Sequence, residues 1–155
     1  EGPKIFVVGG KADDPFWSRV KRGADDAAVL VESQGGSVTW LGPQNYDNLG
    51  PDAAKLIQTA ISQGATAIVG PDWVPEAMDS AFQQVTDAGI LQISPANTSP
   101  DLTTAKDGGL YFRTAPSDVL QGRVLADLID TDKRFVAQQG QRVAFAEERI
   151  LGRRA

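Results

Sequence analysis

The fold is decided first by residues 4–10, which read Lys4-Ile5-Phe6-Val7-Val8-Gly9-Gly10. Four consecutive apolar residues leave no polar face, which is typical of a parallel strand that is buried on both sides of a sheet. From Pro15 to about Glu32 apolar residues recur at helical spacing, and Asp13 or Asp14 can cap this predicted helix. A buried strand followed directly by a helix is the beginning of a βαβ unit.

The same alternation continues along the chain. Further strands are predicted at residues 37–41, 67–70, 90–94, 110–114 and 142–146, and further helices at 51–64, 75–88 and 117–130. The predicted fold class is α/β, a flavodoxin-like three-layer sandwich with a mostly parallel sheet of five or six strands in the order 2-1-3-4-5. We expect one α/β domain over residues 1–155, in which 1–133 form the lobe proper. Residues 134–155 are expected to be a terminal segment, either an edge strand or a swapped arm.

Composition excludes several classes of function. The chain of 155 residues contains no Cys and no His, which excludes thiol nucleophiles, His general bases and Cys-based zinc sites. Its formal net charge of −5 argues against a nucleic-acid partner. No apolar run approaches the roughly 20 residues that a membrane span needs, so no membrane insertion is expected. No motif in the sequence points to a catalytic residue, a metal or a cofactor, and none is expected.

Ligands of open parallel sheets bind where the strands end, so the loops at these positions are the candidate site. The first loop places Asp14 next to two consecutive aromatic residues, Phe16 and Trp17. A carboxylate accepts hydrogen bonds from hydroxyl groups, and an aromatic ring covers the apolar face of a sugar. The alternative is that Asp14 is only a cap and Phe16 only a core residue. Because neighbouring helical residues cannot both point inward, we expect a core role less for Trp17 than for Phe16.

Two later loops carry similar chemistry. Asp72 and Trp73 follow the third predicted strand, and Asp72 can be either a ligand contact or a turn residue. Residues 94–100 are rich in small hydroxyl and amide groups. This loop can hold a carboxylate or an ammonium group, or it can be a hydrogen-bonded connection only.

The segment from Lys4 to Ile90 resembles the amino-terminal lobe of sugar-binding type I periplasmic binding proteins. The resemblance extends in the right order over some 85 residues. It rests on Asp14-Pro15-Phe16-Trp17, Val20-Lys21-Arg22-Gly23-Ala24-Asp25-Asp26-Ala27-Ala28, Leu56-Ile57-Gln58-Thr59-Ala60-Ile61 with Gly64, Ala67-Ile68-Val69 and Ala88-Gly89-Ile90.

The segment from Gly89 to about Ile129 instead resembles receptors for branched-chain amino acids. The residues that carry this resemblance are Ile93-Ser94-Pro95-Ala96-Asn97-Thr98-Ser99-Pro100-Asp101-Leu102-Thr103 and Tyr111-Phe112-Arg113-Thr114-Ala115-Pro116-Ser117-Asp118 with Gln121-Gly122. The chain is thus similar to two branches of one family, as expected of a mosaic.

The resemblance implies a non-catalytic solute-binding lobe of an ABC-transporter receptor, with the periplasm or outer cell surface as its setting. It implies that Asp14, Phe16 and Trp17 contact a sugar and that Asp72 makes a polar ligand contact. It also implies that Ala96 and Thr98 hold the amine and carboxylate of an amino acid. The implied ligand is a small molecule, a monosaccharide rather than a branched-chain amino acid.

Receptors of this family clamp the ligand between two lobes, whereas the chain matches one. We therefore expect a truncated, chimeric or engineered form with weak or no ligand binding. We also expect a homodimer, formed through the exposed lobe interface or by exchange of the terminal segment from Phe135 onward. A different class of function stays open, a receiver-like signalling domain that uses Asp13, Asp14, Asp72 and Ser94 around a divalent cation.

Overall fold

The computed structural model describes residues 2–131. Its strands are β1 (Lys4–Val8), β2 (Ser37–Leu41), β3 (Ala67–Val69), β4 (Leu91–Ser94) and β5 (Tyr111–Arg113). Its helices are α1 (Trp17–Ser33), α2 (Leu49–Ser62), α3 (Pro75–Asp87) and α4 (Asp118–Thr131), with a short 3-10 helix at Pro100–Thr103. The predicted sixth strand and the terminal segment from residue 134 lie outside the described residues.

All pairings in the sheet are parallel, and the strand order is β2-β1-β3-β4-β5. This confirms the predicted fold class and order. The apolar runs of β1 and β3 form the centre of the sheet, where both faces are covered, which is why these runs show no alternation.

One face of the sheet carries the main core. Phe6, Val8 and Ile68 point to this face and pack with apolar residues of α2 and α3, which include Ile57 and Val85. Residues between them on β1 point to the other face. The apolar faces of α2 and α3 thus cover this side of the sheet.

The chain forms two compact units. The first consists of residues 2–97 and Lys106–Ala115 and contains the whole sheet with α1, α2 and α3. The second, where it is described, consists of Thr98–Ala105 and residues 116–131 and contains the 3-10 helix and α4. No helix within residues 2–131 is both long and apolar enough to cross a membrane.

The helix boundaries differ slightly from the predicted ones. Helix α1 begins at Trp17 rather than at Pro15, because residues 12–16 form turns that Asp14 stabilises. The segment 95–109, which shows no period in sequence, contains the 3-10 helix. Ser99 begins this helix, since its hydroxyl accepts a hydrogen bond from the Asp101 N–H at 3.3 Å.

Candidate functional site

The loop after β1 is shaped by Asp14. Its Oδ1 accepts hydrogen bonds from the backbone N–H groups of Phe16 at 2.9 Å and Trp17 at 3.0 Å. These bonds hold the pKa of Asp14 below its ordinary value, the Trp17 N–H having the largest effect. Asp14 thus stabilises the turn that leads into α1, although Phe16 is the N-cap residue and no side chain caps the helix, and one oxygen of Asp14 is occupied by the backbone.

Tyr46 contacts the same loop and was missed by the sequence analysis. Its hydroxyl accepts a hydrogen bond from the Lys11 N–H at 3.0 Å and interacts with the Asp14 carboxylate, where it helps to lower the pKa of Asp14. Gly10 is required beneath it, because a Cβ at this position would overlap Trp17 and crowd the Tyr46 hydroxyl. The only sequence signal is an aromatic residue within a loop rich in Gly, Pro and Asn.

The aromatic residues form a short chain of ring contacts. Phe16 is 53% exposed, whereas Trp17 is only 9% exposed. The two rings meet edge to face with centroids 5.0 Å apart, and Trp17 meets Trp73 in the same way at 5.4 Å. The expectation that Trp17 is less a core residue than Phe16 is therefore wrong. Trp17 joins the first loop to the loop after β3, and Phe16 presents its ring to solvent.

The loop after β3 is fixed by Asn97. Its Oδ1 accepts from the Asp72 N–H at 2.8 Å, and its Nδ2 donates to the Asp72 carbonyl at 2.7 Å. The Ser94 hydroxyl, which is fully buried, donates to the same Oδ1 at 2.6 Å. Asn97 thus ties the end of β4 to the loop after β3 across 25 residues of sequence.

The backbone of Asp72 is fixed by Asn97, but its carboxylate is not fully hydrogen-bonded. Its Oδ1 is buried and has no hydrogen-bond partner among the described residues. The pKa of Asp72 is raised to about 6, first by burial and then by the neighbouring Asp79 carboxyl, with a smaller contribution from Glu76. A half-buried carboxyl with a free oxygen and a pKa in this range is a typical feature of functional sites.

Tyr111 is a second residue that the sequence analysis did not single out. It lies on β5 opposite Gln92, so it shares a sheet face with Gln92 and Ser94. Its hydroxyl is buried and has no hydrogen-bond partner within residues 2–131. Burial raises the pKa of this hydroxyl most, the nearby Ser94 hydroxyl and the charge of Arg113 lower it, and the charge of Asp72 raises it slightly. The hydroxyl is thus protonated at neutral pH and close enough to Asp72 to respond to its charge.

The two residues implied by the amino-acid receptors are placed differently. Ala96 is exposed, and its N–H donates to the Ser94 hydroxyl at 3.4 Å. Thr98 is the first residue of the second unit, where its carbonyl accepts from the Asp118 N–H at 2.8 Å and connects to the start of α4.

The receiver-like alternative receives no support. Asp13 is exposed and pairs with Lys11 at 3.4 Å. Within the described part of the chain, no group of three acidic, His or Cys side chains is arranged to hold a metal ion.

A separate cavity of about 350 Å³ lies beside residues 42–45. Asp52, Lys55 and Leu56 of α2 complete its walls, and it includes none of the predicted site residues.

The geometry defines a class of protein: a parallel α/β lobe whose loops at the strand ends carry aromatic and carboxylate groups. No protein-family model matches the sequence, and no curated protein matches it either. Solved structures do match it. The described part of the chain has the fold of the ABC-transporter substrate-binding proteins, which confirms the resemblance to type I periplasmic binding proteins.

Three of these structures illustrate the range of ligands that are named for them. A substrate-binding protein from Desulfitobacterium hafniense in complex with Leu is 26% identical, with a TM-score of 0.56 over 91% of this chain and 40% of its own. GanP, a glucose-galactose binding protein from Geobacillus stearothermophilus, is 22% identical, with a TM-score of 0.57 over 85% and 44%. A periplasmic solute-binding protein from Actinobacillus succinogenes with bound D-allose is 19% identical, with a TM-score of 0.57 over 80% and 41%. The chain thus spans about two fifths of the length of these proteins.

Proposed function

We propose that the chain is a non-catalytic solute-binding lobe of a receptor that serves an ABC transporter. Its ligand is a neutral polar small molecule, a monosaccharide rather than a branched-chain amino acid. The setting is the periplasm or the outer cell surface. The observation that carries the proposal is that an exposed aromatic ring, Phe16, and the carboxylates of Asp14 and Asp72 all lie in loops at the strand ends of one sheet.

The proposed contacts are shared between three loops. Phe16 covers the apolar face of the sugar ring, while Trp17 supports Phe16 through its edge-to-face contact. Asp14 keeps one carboxylate oxygen that the backbone does not use, and Asp72 offers its unpartnered oxygen. Ala96 is proposed as a further contact in the loop after β4.

The test is thermal unfolding of the chain with D-glucose, D-galactose, D-allose or L-leucine at millimolar concentrations. A ligand at a concentration equal to its Kd stabilises by about 0.4 kcal/mol and one at ten times its Kd by about 1.4 kcal/mol, which raises Tm by about 1 °C and about 4 °C. We expect a shift with a sugar and a smaller one or none with leucine. One lobe covers only one side of the ligand, so we expect a Kd in the millimolar range. A shift with leucine alone would contradict the proposed ligand class.

The matched pair of variants is Phe16→Ala and Phe112→Ala. The two phenylalanines are 53% and 56% exposed, so their removal changes exposed apolar surface by similar amounts. Only Phe16 lies at the proposed site. Phe16→Ala is expected to abolish the sugar-dependent Tm shift, whereas Phe112→Ala retains it. If both variants lost the sugar-dependent Tm shift equally, the proposed contact between Phe16 and the sugar would be wrong.

We also propose that the chain associates with a second copy of itself. Leu120, Val124 and Leu128 recur every four residues on α4, and each is between 48% and 63% exposed. Sedimentation is expected to show a dimer, and Val124→Asp is expected to weaken it because the substitution places a charge in the middle of this apolar row. A monomer at high concentration would contradict this. The exchange of the segment from Phe135 onward concerns residues outside the described part.

A further inference from the structure

Three buried side-chain polar atoms in the first unit have no hydrogen-bond partner among residues 2–131: the Trp40 Nε1, the Asp72 Oδ1 and the Tyr111 hydroxyl, of which the last two lie close enough for the charge of Asp72 to act on Tyr111. Buried polar groups in folded proteins are nearly always paired, so each exception calls for an explanation. A phenylalanine would fill the place of Tyr111 without burying an unpaired hydroxyl. The Tyr111 hydroxyl therefore makes no hydrogen bond of ordinary geometry within residues 2–131, although the Ser94 hydroxyl lies close enough to lower its pKa.

The Asp72 Oδ1 and the Tyr111 hydroxyl belong to one polar cluster at the ends of β3, β4 and β5. Ser94 lies on the sheet face that Tyr111 shares, and the Ser94 hydroxyl is bonded to Asn97. Asn97 in turn binds both the N–H and the carbonyl of Asp72. Within this cluster the oxygen of the Asn97 amide accepts two hydrogen bonds and its nitrogen donates one, and all three hold the loop. The buried side-chain atoms of the cluster that are left without a partner belong to Asp72 and Tyr111.

The kinds of atom left over indicate the group that would fit. A carboxylate oxygen needs a donor, and a protonated phenol needs an acceptor for its own hydrogen. A hydroxyl group supplies both. An ammonium group supplies only donors and would leave the phenol hydrogen unpaired, and a carboxylate would face Asp72 with Asp79 and Glu76 near it.

We propose that Tyr111 is a ligand-binding residue, which acts with Asp72 to bind one uncharged hydroxyl group of a polyol or sugar. The hydroxyl donates to the Asp72 Oδ1 and accepts from the Tyr111 hydroxyl. This inference rests on the proposed solute-binding function and adds to it a residue and a subsite chemistry.

The test uses the whole chain with ¹³C-labelled tyrosine rings. The chain has two tyrosines, so Tyr46→Phe assigns both signals. On titration with D-glucose and D-galactose, the Tyr111 signal is expected to shift with the same midpoint as the calorimetric binding curve. Tyr111→Phe is expected to weaken sugar binding at least tenfold while its Tm stays equal or rises, because an unpaired hydroxyl has been removed.

A double-variant cycle sharpens the result. Asp72→Asn and Tyr111→Phe act on the same ligand hydroxyl, so their combined loss of affinity is expected to be less than the product of the single losses. Ser62→Ala is the control, since this exposed hydroxyl donates to the Thr59 carbonyl at the far end of α2. It is expected to bind sugar as the unchanged chain does.

The outcomes separate the two proposals. If the unchanged chain binds sugar and Tyr111→Phe binds it within twofold, the subsite is overturned and the solute-binding function stands. If neither sugar binds the unchanged chain, both fall. If Tyr111→Phe weakens binding of ethylamine, which has an ammonium group and no hydroxyl, tenfold and leaves sugar binding intact, the hydroxyl assignment is overturned.

Discussion

The loop after β1 and the loops after β3 and β4 use the same kinds of residue in opposite ways. Each has an aspartate, a tyrosine and a tryptophan in or beside it. In the first, Asp14 and Tyr46 both have partners, and both shape the backbone. In the second, Asp72 and Tyr111 each bury a polar atom that has no partner in the described part of the chain.

The difference shows which chemistry each region leaves open to a ligand. The first loop uses one oxygen of Asp14 and the Tyr46 hydroxyl for its own geometry, and it is left with the exposed Phe16 ring and the other oxygen of Asp14. The second is fixed by Asn97, so Asp72 and Tyr111 do not have to hold the backbone. An unpaired buried polar group costs about 1–3 kcal/mol. A region that carries two such groups sacrifices stability, as binding sites commonly do.

The largest expected effect tests whether Asn97 holds the loops after β3 and β4 in place. Asn97→Ala leaves the buried N–H and carbonyl of Asp72 and the Ser94 hydroxyl without their partner. We expect a loss of about 3 kcal/mol in the free energy of unfolding and about 10 °C in Tm. Chemical and thermal unfolding would measure it.

The control for this variant is Asn45→Ala. Asn45 accepts one hydrogen bond from the Asp47 N–H, at 3.0 Å, in an exposed loop. Its loss is expected to cost less than about 1 kcal/mol. Similar losses in both variants would show that the Asn97 bonds are no stronger than those of an ordinary surface turn, and the comparison would fail.

The next effect concerns the pH dependence of Asp72. Its pKa is about 6 in the folded chain against an ordinary 3.8, so the folded state holds its proton more tightly than the unfolded state. Its contribution to stability therefore falls as pH rises from about 4 to 6 and stays low above that. The shift corresponds to at most about 3 kcal/mol, which screening of a half-exposed carboxyl reduces to about 1.5 kcal/mol.

Asp72→Asn is expected to remove this slope and to be more stable than the unchanged chain at pH 7. Urea unfolding at pH 4, 5, 6 and 7 measures the difference between the two chains. Asp87→Asn changes an exposed carboxyl of α3 and serves as the control. A pH-independent difference between Asp72→Asn and the unchanged chain would show that burial of Asp72 has no energetic consequence.

The fold was predictable from sequence, while half of the site was not. Parallel strands that are buried on both faces must be apolar without alternation, so β1 and β3 can be recognised from local sequence. Tyr46 and Asn97 act through bonds to residues 35 and 25 positions away, and no local period encodes such pairs. The orientation of Trp17 depends likewise on Trp73, which lies in another loop.

The two tyrosines give a smaller and more direct contrast. Tyr46→Phe removes the acceptor of the Lys11 N–H, and we expect a loss of roughly 0.5–1 kcal/mol. Tyr111→Phe removes a hydroxyl without a partner in the described chain, and we expect no loss or a small gain. Paired urea titrations decide this. Equal losses would mean that Tyr111 has a stabilising partner, and the two regions would no longer differ.

The smallest effect at neutral pH is expected for Asp14→Asn. Asparagine keeps the side-chain oxygen that accepts from the Phe16 and Trp17 N–H groups, so Tm at pH 7 should change little. The aspartate carboxylate differs from the asparagine amide in its negative charge. Because the pKa of Asp14 is lowered in the folded chain, its contribution to stability is present above about pH 4 and is lost as pH falls through the folded pKa.

Asp14→Asn should therefore lose less stability than the unchanged chain between pH 4 and pH 2, whereas Asp14→Ala should be less stable at every pH. Thermal unfolding of the three chains at pH 7, 4, 3 and 2 distinguishes the two roles of the side chain. Asp13→Asn, at the exposed neighbour that pairs with Lys11, is the matched control. If Asp14→Asn were as unstable at pH 7 as Asp14→Ala, the charge rather than the turn geometry would hold the first loop. The loop after β1 would then depend on a carboxylate charge, which is the same chemistry that Asp72 is proposed to offer to the ligand.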